Sequence, residues 1–337
     1  MSGRDPARSR GVVPGPPDIG AGAATPSHEL PAGASDGLPG SPQPLVLGAR
    51  TFHWGSRTHV MGILNVTPDS FSGDGLLTAV AGSTPARRID PLAAAVAQAR
   101  RMVDEGADLL DIGGASSRPG HADVPVEEEL ERVVPVVRAV AAALPTTPIS
   151  IDTTSSRVAE AALDAGAHLL NDVWGVADDP SMVRLAAARR VPIVLMHNRA
   201  EARYRNLIPE VLSDLERALE RALAAGVPWD DLIVDPGFGF GKTPEHNIAL
   251  LARLETFRTL GRPILLGTSR KSTLGKLLDL PPDQRVEATT ATTALAAAAG
   301  VDLVRVHDVR PNLRAARVAD AIARGWRPDA WTGGASR

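Results

Sequence analysis

The chain has 337 residues, 44% hydrophobic and 22% charged, proportions of a soluble protein with room for one large domain or two small ones. It contains no cysteine, which excludes disulfide scaffolds, zinc ribbons, iron–sulfur clusters and thiol nucleophiles. A net charge of −3, with only five Phe, five Trp and one Tyr, is a poor composition for coating a phosphate backbone or stacking bases, so no nucleic-acid partner is expected.

In chain order, residues 1–44 hold eight Gly and nine Pro with few large apolar side chains. Such a segment cannot offset the entropy of ordering, and a disordered N-terminal arm is predicted. It has no apolar stretch behind a basic start, and no 18-residue apolar run occurs anywhere, so a cytoplasmic protein without membrane partners is expected. Residues 45–327 are then one domain and residues 328–337 a tail, a length near the roughly 250 residues typical of a (β/α)₈ barrel.

From residue 59 short apolar runs alternate with longer Ala-rich amphipathic stretches. The runs begin near His59, Ala107, Pro148, His168, Pro192, Leu232, Pro263 and Leu303. Helical spacing marks the segments 91–105, 155–165, 208–225 and 289–299, and Gly106, Gly166, Gly226 and Gly300 supply stops able to adopt positive φ. Strand, helix, Gly stop and next strand is the pattern of parallel βαβ units. Eight units close naturally as a barrel, but a doubly wound sheet shares the same local pattern, so periodicity leaves closure open.

Nearly every apolar run ends in polar or Gly-rich residues, where barrel enzymes build their sites. The ends carry Asn65, then Asp111 to Gly120, Asp152, Asn171, His197, Asp235 to Lys242, Ser269 to Ser272, and Arg305 to Asp308. Each has an ordinary reading. Asp152 and Asn171 suit helix caps, His197 and His307 suit packed and hydrogen-bonded histidines, Lys271 and Arg305 suit surface charges, and turns need glycines such as Gly237 to Gly241. Capping alone does not ask for carboxylates, an amide, Lys and Arg at successive strand ends. Together, Asp152, Asp235 and Asn171 suit a flat heterocycle with an amidine-like edge. Arg118, Arg305 and His307 suit an anion, and Asn65 offers a neutral oxygen to a magnesium ion held otherwise by phosphate and water. A ring-bearing phosphate ester satisfies both halves.

The run Met61-Gly62-Ile63-Leu64-Asn65-Val66-Thr67-Pro68-Asp69-Ser70-Phe71-Ser72 and the stretch from Asp111 to Gly120 resemble the two signatures of bacterial dihydropteroate synthases, the folate-pathway enzymes that sulfonamides inhibit. Asp235 to Lys242, Ser269 to Ser272 and Arg305 to Asp308 are similar to further blocks of that family, and the likeness runs from about residue 46 to 325. The resemblance implies a TIM barrel of the α/β class. It also implies condensation of 6-hydroxymethyl-7,8-dihydropterin diphosphate with 4-aminobenzoate, giving 7,8-dihydropteroate and pyrophosphate with Mg²⁺ assisting. Asp152, Asn171, Met196, Asp235 and Lys271 are implied at the pterin, and Asn65, Arg118, Arg305 and His307 at the diphosphate, with Asn65 bearing on the metal. Ser117, Pro119, Phe240, Lys271 and Ser272 are implied at 4-aminobenzoate. Catalytic roles fall to Lys271, Arg305, His307 and Asp152, and a homodimer through late helices is implied.

Ala115 stands where the family usually carries Glu, and Ser117 where Thr is usual. The segment 76–89 also lengthens the first loop. The Ala115 substitution keeps open an alternative, a catalytically impaired pterin-binding paralogue. A metal-dependent hydrolase barrel using His197 and Asp308 is the rival from another class, but such barrels place His-x-His at the first strand end, where this chain reads Asn65-Val66-Thr67.

Overall fold

The eight apolar runs pair side by side as parallel strands with helices on their outer face, in a computed structural model that describes residues 42–66, 90–114, 124–175, 179–328 and 331. The strands are β3 (His59–Asn65), β4 (Leu109–Gly113), β5 (Ile149–Asp152), β6 (Leu169–Asp172), β7 (Ile193–Met196), β8 (Leu232–Asp235), β9 (Leu265–Leu266) and β10 (Leu303–Val306). They run in the order β8-β7-β6-β5-β4-β3-β10-β9, and a parallel bridge between Val234 and Ile264 joins the two ends of the sheet. The alternation therefore closes as a (β/α)₈ barrel and not as an open sheet.

The helices are α1 (Pro91–Asp104), α2 (Val126–Ala143), α3 (Ser156–Ala165), α4 (Ser181–Arg189), α5 (Leu207–Ala224), α6 (Pro244–Leu251), α7 (Ser272–Leu278), α8 (Val286–Ala298) and α9 (Val309–Ala323). Their ends follow local chemistry. Asp90 accepts from the Leu92 amide ahead of Pro91, and Thr243 and His246 form a reciprocal capping box on α6. Gly106, Gly166, Gly226 and Gly300 all take positive φ, as the predicted stops require. Among the described residues no helix is long and apolar enough to cross a membrane.

Two features precede the site. A hairpin of β1 (Leu45–Leu47) and β2 (Arg50–Phe52), which the sequence reading does not anticipate, sits across the N-terminal end of the barrel. Its Leu45, Leu47 and Phe52, with Trp54, cluster with Met61, Leu109, Leu169, Val194, Ile233, Leu265 and Leu303 from seven strands. The intervening residues Val60, Leu110, Ile149, Leu170, Ile193 and Val304 face outward into the helix-side core. Because strand side chains repeat every two residues, the positions two beyond that inner apolar layer must also face inward. They are Ile63, Asp111, Asn171, Met196, Asp235, Gly267 and Arg305. One end of the barrel is thus sealed with hydrocarbon, and the polar layer stacks directly above it.

The arm predicted over residues 1–44 lies outside the described residues except for residues 42–44, as does most of the tail predicted over residues 328–337. The lengthened first loop and Ala115 also lie outside them.

Phe52 is almost wholly buried and stacks on Trp54 at 5.7 Å between ring centroids. Phe52→Ala should lower unfolding free energy by about 3 kcal/mol. Urea titration checks this, and a loss below about 1 kcal/mol would mean that the hairpin is not part of the cooperative core.

Candidate active site

The polar layer is organised around one guanidinium. Arg305, on β10, donates through Nε to Asp111 Oδ2 at 2.5 Å and through Nη2 to Asp152 Oδ2 at 2.6 Å. Asn171 Nδ2 donates to the same Asp111 oxygen at 3.1 Å. Asp111, Asp152 and Asn171 are buried, and the second Asp111 oxygen, Oδ1, is buried without a hydrogen-bond partner. The ends of β4, β5, β6 and β10 are thereby joined although their residues lie up to 194 positions apart. Burial, reinforced by neighbouring Asp111 and opposed by Arg305, pushes the Asp152 carboxyl up to about 7.

A second cation approaches from the β9–α7 loop. Lys271 immediately precedes α7, and its ammonium donates to the Phe238 carbonyl and lies 4.3 Å from the centroid of the Phe240 ring. Burial pushes that ammonium down to about 7, against the pull of Asp235. Asp235, at the end of β8, accepts from the Gly237 amide at 2.7 Å, and burial raises its carboxyl despite the opposing field of Lys271. The close approach explains one glycine: a Cβ on Gly239 would lie 2.7 Å from Lys271 Cδ, at a φ of +84°. Met196, Val173 and Phe240 form a small apolar cluster beside these charges.

Of the residues implied by the resemblance, Asp152, Asn171, Asp235, Lys271 and Arg305 come together as one charged group, with Met196 and Phe240 packed in the adjoining cluster. His307, half-buried just past the end of β10, holds its Nδ1 3.0 Å from the Ser269 hydroxyl. Asn65 is half-buried at the end of β3, and Ser272 is exposed at the start of α7. Ser117, Arg118 and Pro119 lie outside the described residues.

Sequence reasoning assigned no role to Asp111, which bridges Arg305 and Asn171. The available signal was its position two residues beyond Leu109 on an inward-facing strand. His197 follows its ordinary reading: it is buried, with Nε2 3.0 Å from Asp214 Oδ2, and burial together with Lys242 pushes its imidazole down to about 3. Asp308 is held by Arg270 at 2.8 and 3.1 Å. His197 and Asp308 therefore have separate partners, and among the described residues no three His, Cys, Asp or Glu side chains gather as a metal site.

Residues 61–307 match the pterin binding enzyme family. A dihydropteroate synthase of Clostridium beijerinckii is 46% identical over 279 residues, covering 82% of this chain and 99% of the relative. The structure of a dihydropteroate synthase from Clostridium difficile, solved in the presence of pteroic acid, superposes with a TM-score of 0.74 at 45% identity, covering 81% of this chain and 99% of that one. A Xanthomonas albilineans dihydropteroate synthase with 4-aminobenzoic acid gives a TM-score of 0.75 at 40% identity, covering 86% and 100%.

The Asp152 environment has a consequence for stability. A carboxyl whose pKa rises from 3.8 to about 7 on folding binds its proton more tightly in the native state, so its contribution to stability falls as pH rises across that window. Asp152→Asn lacks this penalty. Its unfolding free energy relative to the parent chain should rise by at least about 1 kcal/mol between about pH 4 and about pH 7. Urea titrations across that range measure the difference; parallel curves would mean that Asp152 is ionised throughout.

Proposed function

The chain belongs to the dihydropteroate synthase family of pterin binding enzymes, and on that basis we propose how its strand-end residues perform the family's reaction. The reaction joins 6-hydroxymethyl-7,8-dihydropterin diphosphate to 4-aminobenzoate and releases pyrophosphate. The observation carrying the assignment of residues is the buried group of Asp111, Asp152, Asn171 and Arg305, with Asp235 and Lys271 in electrostatic contact with it. It offers carboxylate acceptors, an amide and a cation on one side of the barrel mouth, as a pterin edge demands.

Asp152, Asn171, Asp235 and Lys271 hold the ring, with Met196 against it. Arg305 stands beside them, donating to Asp111 and Asp152. Arg305 acts on the diphosphate together with His307, Arg118 and Asn65. The demanding event is cleavage of the C–O bond to pyrophosphate, which leaves an electron-poor methylene stabilised by the pterin ring. Donors fixed where negative charge grows lower that barrier without a covalent nucleophile. The 4-aminobenzoate amine is largely neutral at pH 7 and needs positioning more than deprotonation. Phe240, Lys271, Ser272, Ser117 and Pro119 supply that positioning. As the C–N bond forms, the amine proton leaves to solvent.

The donor set accommodates magnesium as an ion carried by the substrate. Asn65 offers one neutral oxygen and no cluster of acidic or imidazole ligands stands beside it among the described residues. Asn65 would hold the ion with diphosphate and water oxygens, and the ion, when bound, neutralises charge on the leaving group.

The protein acts in the cytoplasm as a homodimer. Support for the dimer comes from Leu295 on α8 and Val318 and Ile322 on α9, which are 60%, 62% and 81% exposed. Large apolar side chains on the paired late helices suit a self-complementary contact.

Purified protein with the pterin diphosphate, 4-aminobenzoate and Mg²⁺ should release pyrophosphate and dihydropteroate in equal amounts; pterin binding without product would select the impaired paralogue. Asp152→Asn should keep its fold and bind pterin about 100-fold more weakly by calorimetry, with unchanged affinity counting against the ring assignment. Ile322→Glu should shift sedimentation from dimer to monomer, and a monomeric parent chain would dismiss the dimer.

A further inference from the structure

One charged group near the site has no part in the chemistry above. Lys242, partly buried where the β8 turn leads into α6, points its Nζ back into that turn. It donates to the carbonyls of Gly237 at 3.0 Å and Phe240 at 3.1 Å, and lies 2.9 Å from His197 Nδ1. Three acceptors match the three N–H bonds of an ammonium. His197 is neutral, so it presents a lone pair at Nδ1 while its Nε2–H bonds Asp214. Asp214 on α5 is itself held by Arg199 at 2.7 and 2.8 Å, so the acceptor facing Lys242 is fixed from behind.

The turn does not hold this shape by itself. Gly237, Gly239 and Gly241 all have positive φ, a flexible backbone that other contacts must hold. At Gly237 a Cβ would fall 1.7 Å from the His197 carbonyl oxygen, so the turn lies directly on the β7 loop. The groups displayed on its other side are the Phe238 carbonyl, which accepts from Lys271, and the Phe240 ring beneath the Lys271 ammonium.

We propose that Lys242 is a positioning residue for the 4-aminobenzoate half of the reaction: by tying the Gly237 and Phe240 carbonyls to His197, it sets the height and tilt of the Phe240 ring and the carbonyl anchor of Lys271. The inference rests on the function assigned above and extends it to a residue that touches neither substrate. Selectivity for one substrate follows from the geometry. Of the polar groups placed at the pterin, Asp152 and Asn171 stand on β5 and β6 and Asp235 in the β8 ladder opposite Met196, so that side loses only the shared Lys271 anchor when the turn relaxes, whereas Phe240 and Lys271 both shift at 4-aminobenzoate.

The absence of cysteine from the chain permits a chemical test. Lys242→Met should raise KM for 4-aminobenzoate about tenfold while KM for the pterin diphosphate stays within about threefold. Lys242→Cys, the sole thiol, should behave likewise, and alkylation with 2-bromoethylamine in urea followed by refolding rebuilds a near-isosteric amine and should restore the 4-aminobenzoate KM. If Lys242→Met fails to fold, the alkylated and unalkylated Lys242→Cys proteins make the same comparison. A lowered melting temperature with both KM values unchanged would reduce Lys242 to a structural brace and overturn the proposal. Equal rises in both KM values, or alkylation without recovery, would also overturn it. Inactivity of the parent chain would instead overturn the assigned reaction.

Discussion

The interior of this barrel is arranged around an Arg305 guanidinium held between the carboxylates of Asp111 and Asp152. Two buried carboxylates near each other repel and lose hydration, and a single cation bridging them offsets both costs in part. Both contacts are short and buried, so removing either partner would leave an uncompensated charge inside the barrel. A hydrophobic filling of equal volume would pack as well but would present no polar group at the strand ends.

This polar layer depends on what lies beneath it. The hairpin of β1 and β2 caps a hydrocarbon layer drawn from seven strands, which removes water from one end of the cylinder. Above that seal, the two-residue repeat of each strand lifts Asp111, Asn171, Met196, Asp235 and Arg305 to one level. Desolvation there pushes the Asp152 carboxyl and the Lys271 ammonium toward neutrality from opposite directions, each to about 7. Groups poised in this way change charge with small changes in their surroundings.

Much of this was legible in the chain. The βαβ alternation, the glycine stops and the polar strand ends follow from local spacing, and the resemblance to dihydropteroate synthases resolved the closure that spacing left open. Asp111 was not assigned, because an Asp at a strand end reads the same whether it caps a helix or bridges an arginine 194 residues away. Lys242 passed as one more residue of a Gly-rich block, since its role appears only when the β7 and β8 loops lie against each other. The hairpin was missed because two three-residue strands carry too few residues for a periodic signal.

By itself the sequence determined which segments would be strands, which would be helices and which strand ends would carry charge, since these depend on side-chain period, capping and glycine conformations within a few residues. Tertiary structure alone decided that Arg305 lies between Asp111 and Asp152, that Lys271 rests on the Phe240 ring, and that Lys242 reaches the imidazole of His197. Those pairings join residues from different strand ends, brought near only by strand pairing and barrel closure. Their direction and protonation follow from burial, a property of the assembled fold that no local stretch of sequence contains.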